Sequence, residues 1–199
     1  MADIFKLSAL SIATNAQTRY NDMLAGNPYF QPSSYESIAT VTVGAGGSSS
    51  ITFSSIPSTY KHLQIRYIAR NTSTNTGLNL NFNGDTTSTA YWHLLYGSGT
   101  AAAAYTISTA YIQGGGITTS NQTASIYGAG VIDILDYSST VKNKTVRSLN
   151  GWDNNGSGFV YFHSGAWYNT NAITSLTLVT GDAANLAQYS SFALYGVKG

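Results

Sequence analysis

Charge is what this sequence has least of. Asp, Glu, Lys and Arg make up 9% of 199 residues, against about 25% in an ordinary soluble domain. The net charge is +1, and the few Lys and Arg are scattered, so no basic stripe offers the field that phosphate binding needs; this excludes nucleic acid as a partner. Cysteine is absent, which excludes disulfides, thiolate metal sites and cysteine catalysis. No run approaches the roughly 18 apolar residues of a membrane span, so no membrane insertion is expected. The opening MADIFKLSALSIATNAQTRY lacks a charged segment followed by an unbroken apolar one and is not a secretory signal.

What is present is Ser, Thr, Asn and Gly, with hydrophobic residues at 43%. The chain is therefore not a disordered tail, and its surface is made of hydroxyls, amides and rings. Such a surface suits packing against copies of itself or against sugars better than freely diffusing catalysis. A net charge near zero also gives little colloidal repulsion, so the sequence predicts a built-in oligomer. The nearest thing to a charge cluster is Lys142, Lys144 and Arg147. Alternation puts Lys142 and Lys144 on one face of a strand, which reads as a solvated side.

The first 35 residues differ from the rest. They hold Met1, Met23, Pro28 and Pro32, and the apolar residues of 4–24 follow no clean period. Leu7, Leu10 and Ala13 would share a helical face, which Gly26-Asn27-Pro28 would stop. Residues 1–35 are read as an attachment arm and linker, and residues 36–199 as one domain.

From Glu36 the pattern is β. Ile38 to Val43 alternates, as do Ser50 to Phe53, His62 to Arg70 and Leu78 to Phe82, the last ending in Asn83-Gly84-Asp85. Further strands are predicted at 90–96, 105–112, 125–135, 145–150, 159–167, 173–179 and 191–197, with Gly114-Gly115-Gly116 and Asn154-Asn155-Gly156 as turn clusters between them. About ten short alternating strands and no amphipathic helix after residue 36 predict antiparallel sheets packed face to face. The fold class is all-β: an antiparallel β-sandwich, with a jelly roll the expected topology.

Chemistry-bearing groups do not assemble into a recognisable site. His62, His93 and His163 lie on different predicted strands without ligand spacing. Asp133 and Asp136 are three apart, which on a strand points them to opposite faces. Asp85, Asp182 and the loop from Asp153 to Ser157 offer one carboxylate each, too few for calcium and natural for turns. Gly114-Gly115-Gly116 lacks the Lys-Ser/Thr and helix of a phosphate loop. No catalytic residue, metal site or cofactor is assigned. The sequons at Asn71, Asn121, Asn143 and Asn155 are what an Asn-, Ser- and Thr-rich composition produces by chance. Aromatic rings are the binding signal: fifteen Tyr and three Trp exceed the needs of a core. Tyr91-Trp92-His93 and Trp167-Tyr168-Asn169 each put neighbouring rings on opposite faces. Trp152 beside Asp153 and Asn154 fits a ring stacked on a sugar with acceptors for its hydroxyls. Trp152, Asp153, Asn154, Trp92 and Trp167 are the candidate glycan contacts, weighed against core or subunit-interface roles.

Three blocks carry a family resemblance. The segment Ser50-Ile51-Thr52-Phe53-Ser54-Ser55-Ile56-Pro57, with Tyr60 and Leu63 after it, is similar to a recurrent opening in tailed-phage virion proteins. Leu80-Asn81-Phe82-Asn83-Gly84-Asp85 resembles the hairpin that follows it there, and Phe192-Ala193-Leu194-Tyr195-Gly196-Val197 the closing strand. The resemblance covers residues 36–199 and implies a non-enzymatic bacteriophage structural protein, tail-fibre-like, usually a homotrimer. It implies a virion location after assembly in the host cytoplasm, with residues 1–35 meeting other virion proteins and a host-surface glycan as a further partner. A tail-fibre or host-adhesion module is the first reading. A capsid decoration (cement) protein is its rival, and a lectin-like carbohydrate-binding module the second alternative.

Overall fold

A computed structural model describes residues 24–26, 34–87 and 90–199. The chain divides into two compact units, residues 1–34 and 35–199. The expected arm lies almost wholly outside the described residues.

The second unit is all-β, with twelve strands: β1 Tyr35–Thr42, β2 Ile51–Phe53, β3 His62–Ala69, β4 Gly77–Phe82, β5 Ala90–Gly97, β6 Ala102–Thr109, β7 Ile112–Gly116, β8 Gly128–Leu135, β9 Lys144–Asp153, β10 Gly158–Trp167, β11 Leu176–Thr180 and β12 Ser191–Val197. They form an eight-stranded sheet in the order β1-β12-β3-β8-β9-β10-β5-β6 and a four-stranded sheet in the order β2-β11-β4-β7. Every ladder between these strands is antiparallel. The two sheets pack together as the expected β-sandwich.

Period-two alternation decides which side of each strand faces the partner sheet. Leu63, Ile65, Tyr67, Ile132, Ile134, Phe192 and Leu194 of the large sheet are buried, as are Ile51, Phe53, Leu78, Leu80, Leu176 and Leu178 of the small one. The segment predicted as one strand at 105–112 is two. β6 closes the edge of the large sheet, and β7, after a turn at Ala110 and Tyr111, belongs to the small one. Continuous apolar alternation hid the corner.

Gly114-Gly115-Gly116, expected as a turn, lies inside β7. A Cβ on Gly116 would come within 2.7 Å of the Tyr161 ring, and one on Gly115 would strike the Tyr67 phenol. The glycines make room for rings from the opposite sheet, a packing role rather than a turn.

Lys144 is a second correction. Expected on a solvated face beside Lys142, it is fully buried. Its Nζ donates to the carbonyl oxygens of Ser139, Lys142 and Thr170 at 2.7, 2.8 and 3.1 Å. Three carbonyls replace its water shell, which lets the ammonium leave solvent at the start of β9.

Candidate functional site

The small sheet is half as wide as the large one, so part of the large sheet reaches beyond it. On the side that faces the small sheet, this overhang is lined with rings. Trp152 and Phe159 lie 5.1 Å apart, Phe159 and Tyr161 stack at 5.5 Å, and Tyr96 is 5.7 Å from both Phe159 and Tyr105. Trp92 continues the series through His163 at 6.1 Å.

The structure separates the five candidate glycan contacts. Trp92 and Trp167 are 3% and 4% exposed; both are core, and neither can meet a sugar on the surface. The rings that do reach solvent are their neighbours Tyr91 and Tyr168, which meet edge to face at 5.5 Å. Asn154 is held in the fold, its Oδ1 accepting from the Thr123 amide at 2.7 Å. Asn155 and Gly156 form the tip of the β9–β10 hairpin, both with positive φ (55° and 96°), which Asn-Gly accommodates. Trp152 is half-buried and Asp153 exposed. Asp153 lines an open hollow of about 640 Å³ together with Leu149, Gly97, Ser98 and Val160, and Trp152 borders it, with its indole on the other side of the sheet against Phe159.

That hollow belongs to the outer face of the large sheet, away from the core. Register places Val131, Leu149, Phe162, Leu95 and Ala104 in one row across β8, β9, β10, β5 and β6. The next row is Ile68, Ala129, Gly151, Val160, Gly97 and Ala102. Leu149 is 60% exposed, Val160 61%, Leu95 55%, Ile68 47% and Phe162 45%. Those five side chains present on the order of 500 Å² of apolar surface, within the range of the largest patch on a monomer, and such patches are often functional. The row beyond it is polar, with Gln64 Nε2 donating to Asp133 Oδ1 at 2.8 Å. Sequence reading missed this face. Its signal was Phe159-Val160-Tyr161-Phe162, where apolar residues occupy both parities and alternation fails.

The titratable groups have local structural partners. Asp136 accepts from Lys142 at 2.7 Å and faces Lys61 at 3.0 Å. Hydrogen bonds from these two lysines hold its carboxyl at about 2. Asp133 is on the outer face, whereas Asp136 sits in the following turn at φ 48°. Asp85 accepts from Trp167 Nε1 and the Thr87 amide at 3.0 and 2.8 Å. For Asp182, burial raises the pKa, but donors that include Asn71 outweigh it and bring the group down to about 2. His163 is buried against Ser148 and Asn150, its Nδ1 at 3.3 and 3.1 Å from them, and burial pushes its pKa down to about 4. Among the described residues no group of three His, Asp or Glu could hold a metal ion, and no helix is long and apolar enough to cross a membrane.

No protein family, curated protein or solved structure matches this chain. The site is therefore read from its own geometry, which provides contact surface: an apolar face, a hollow at one end of it, and rings beneath.

Proposed function

We propose that this chain is a non-enzymatic structural component of a tailed-phage particle, a tail-fibre or host-adhesion module attached through residues 1–35. The observation that carries the reading is the outer face of the large sheet, an apolar surface on a domain with very little charge, suited to being built into an assembly. Strand order supports it. With β5, β6, β9 and β10 set aside, the sheets read β1-β12-β3-β8 and β2-β11-β4-β7. That order is the one a jelly roll would have, a fold common in capsid and lectin domains, and it supports that topology. The four extra strands widen one sheet and create the overhang. In this reading the hollow beside Trp152 and Asp153 is where a host-surface glycan would sit, each weak contact being multiplied by the number of copies on the particle.

Gold-labelled antibody against the purified chain, applied to particles from lysed cultures, tests the proposal. Label on the tail or its fibres is the expected result. Label over the head would replace the adhesion reading with capsid decoration, and particles without label would overturn both.

A further inference from the structure

The two sheets have four edges, and three are blunted. β2 is three residues long. β7 has five residues, and its ladder with β4 shifts register between Leu78 and Asn79. β1 is interrupted by a shift between Ser37 and Ala39, and its Glu36 binds Lys198 at 3.1 Å. Short strands, bulges and edge charges are the devices that keep sheet edges from pairing with other chains. β6 has none of them. It runs eight residues, Ala102–Thr109, in unbroken register with β5. It contains no proline and no charge, and neither Asp, Glu, Lys nor Arg occurs anywhere between Asp85 and Asp133. Among the described residues, no strand lies on its other side.

We propose that β6 pairs antiparallel with β6 of a second copy about a twofold axis, joining two large sheets into one. Alternate residues of β6 turn their N–H and C=O away from β5, so the second ladder uses groups that are otherwise left to water. The occupant is a second copy because a twofold pairing sets each residue near the axis beside its own counterpart. A charged strand would then face like charges, and an uncharged one meets none. The flanks fit as well. Tyr105 and Ile107 are exposed on one side of β6 and Ala102 and Ala104 on the other. A 26 Å edge (about 3.3 Å per residue) with these side chains covers on the order of 500 Å² per partner, at the small end of specific interfaces. The dimer is thus concentration-dependent. It stands in place of the threefold assembly that the phage resemblance implies, and it does not rest on the virion reading.

The full chain tests it in three measurements. Analytical ultracentrifugation should show a reversible monomer–dimer equilibrium, and Ala104→Lys/Thr106→Lys should shift it to monomer without lowering Tm. Hydrogen exchange should find β6 amides slowed in the dimer and at least tenfold faster in that variant. Because the chain has no cysteine, single Cys substitutions from Ala103 to Ile107 report the register. Oxidation should crosslink one position most strongly and its neighbours less. A monomer at all concentrations overturns the proposal, whether its β6 amides exchange freely or are protected by the same chain. So does a trimer, or any oligomer that persists in the double-lysine variant and gives no crosslink.

Discussion

The Trp167 indole Nε1 donates to the Asp85 carboxylate at 3.0 Å, joining the end of β10 to the turn after β4. The Trp167 ring lies 5.4 Å from Phe82, the last residue of β4. Asn83 and Gly84 take positive φ, 53° and 66°, and the Asp85 amide closes the turn onto the Phe82 carbonyl at 2.9 Å. The tryptophan that sequence reading offered to a sugar instead locks the turn after β4 to the neighbouring sheet.

Removing that hydrogen bond should therefore show as lost stability. Trp167→Phe keeps a ring against Phe82 and leaves Asp85 without the indole donor. We expect a loss of about 2 kcal/mol, the range for a hydrogen bond to a charged acceptor, read as a lower urea midpoint. Combined with Asp85→Ala, the loss should be smaller than the sum of the two single losses, because both remove the same contact.

His163 gives the protein a defined acid sensitivity. Its pKa is near 4 in the fold because burial disfavours the charged imidazolium, against an ordinary 6.5. On acidification the unfolded chain takes up the proton first, so the folded state is disfavoured as pH falls. Stability should be full above about pH 6.5 and decline toward pH 4, by about 3 kcal/mol in all. Asp136 and Asp182 titrate near 2 in the fold, so their contributions are lost only below about pH 4. His163→Gln retains an acceptor for Asn150 and should flatten denaturation midpoints between pH 7 and pH 4.5. An unchanged slope would assign the effect elsewhere.

Tyr67 crosses from β3 into space that Gly115 and Gly130 leave open. A Cβ on Gly130 would approach the Tyr67 hydroxyl to 2.6 Å, and one on Gly115 would strike the same oxygen. Gly115→Ala should cost about 1–3 kcal/mol, the usual penalty of overpacking. Tyr67→Phe forfeits the hydroxyl's 3.3 Å bond to the Gly116 carbonyl, worth about 1 kcal/mol. The double variant should be more stable than Gly115→Ala alone, since deleting the oxygen removes the worst contact and leaves only the ring carbon Cζ, at 2.9 Å. Thermal melts of the four proteins decide it.

Most of the fold was legible in sequence because alternation is a local signal. Leu63-Gln64-Ile65-Arg66-Tyr67 announces β3 and its inner face without reference to any other strand. Burial that depends on distant partners was not legible. Lys144 looks like any surface lysine until three carbonyls, one from as far away as Thr170, are brought around its ammonium. Gly114-Gly115-Gly116 looks like a turn until Tyr67 and Tyr161 arrive from the opposite sheet. The hollow was half legible: Trp152 and Asp153 were singled out for their chemistry, but Leu149, Val160 and Gly97 join them only through strand register. Nothing local marks β6 as an edge, which is a property of the strand order.

Gly97 supplies the cleanest test of the hollow. A Cβ there would meet no atom within 4 Å, and its backbone is not among the positive-φ positions, so a larger side chain costs the fold little. Gly97→Leu puts a side chain beside Val160, in the hollow. If the hollow takes a host-surface sugar, adsorption of the purified protein to polysaccharide-coated beads should fall at least tenfold in Gly97→Leu. Tm should stay unchanged for Gly97→Leu. Trp152→Ala is a poorer test, because the indole lies on the other side of the sheet, packed on Phe159 at 5.1 Å, and its removal disturbs the ring series there. A Gly97→Leu protein that binds as the wild type does would remove the hollow from the adhesion reading and leave the outer face as a surface for assembly alone.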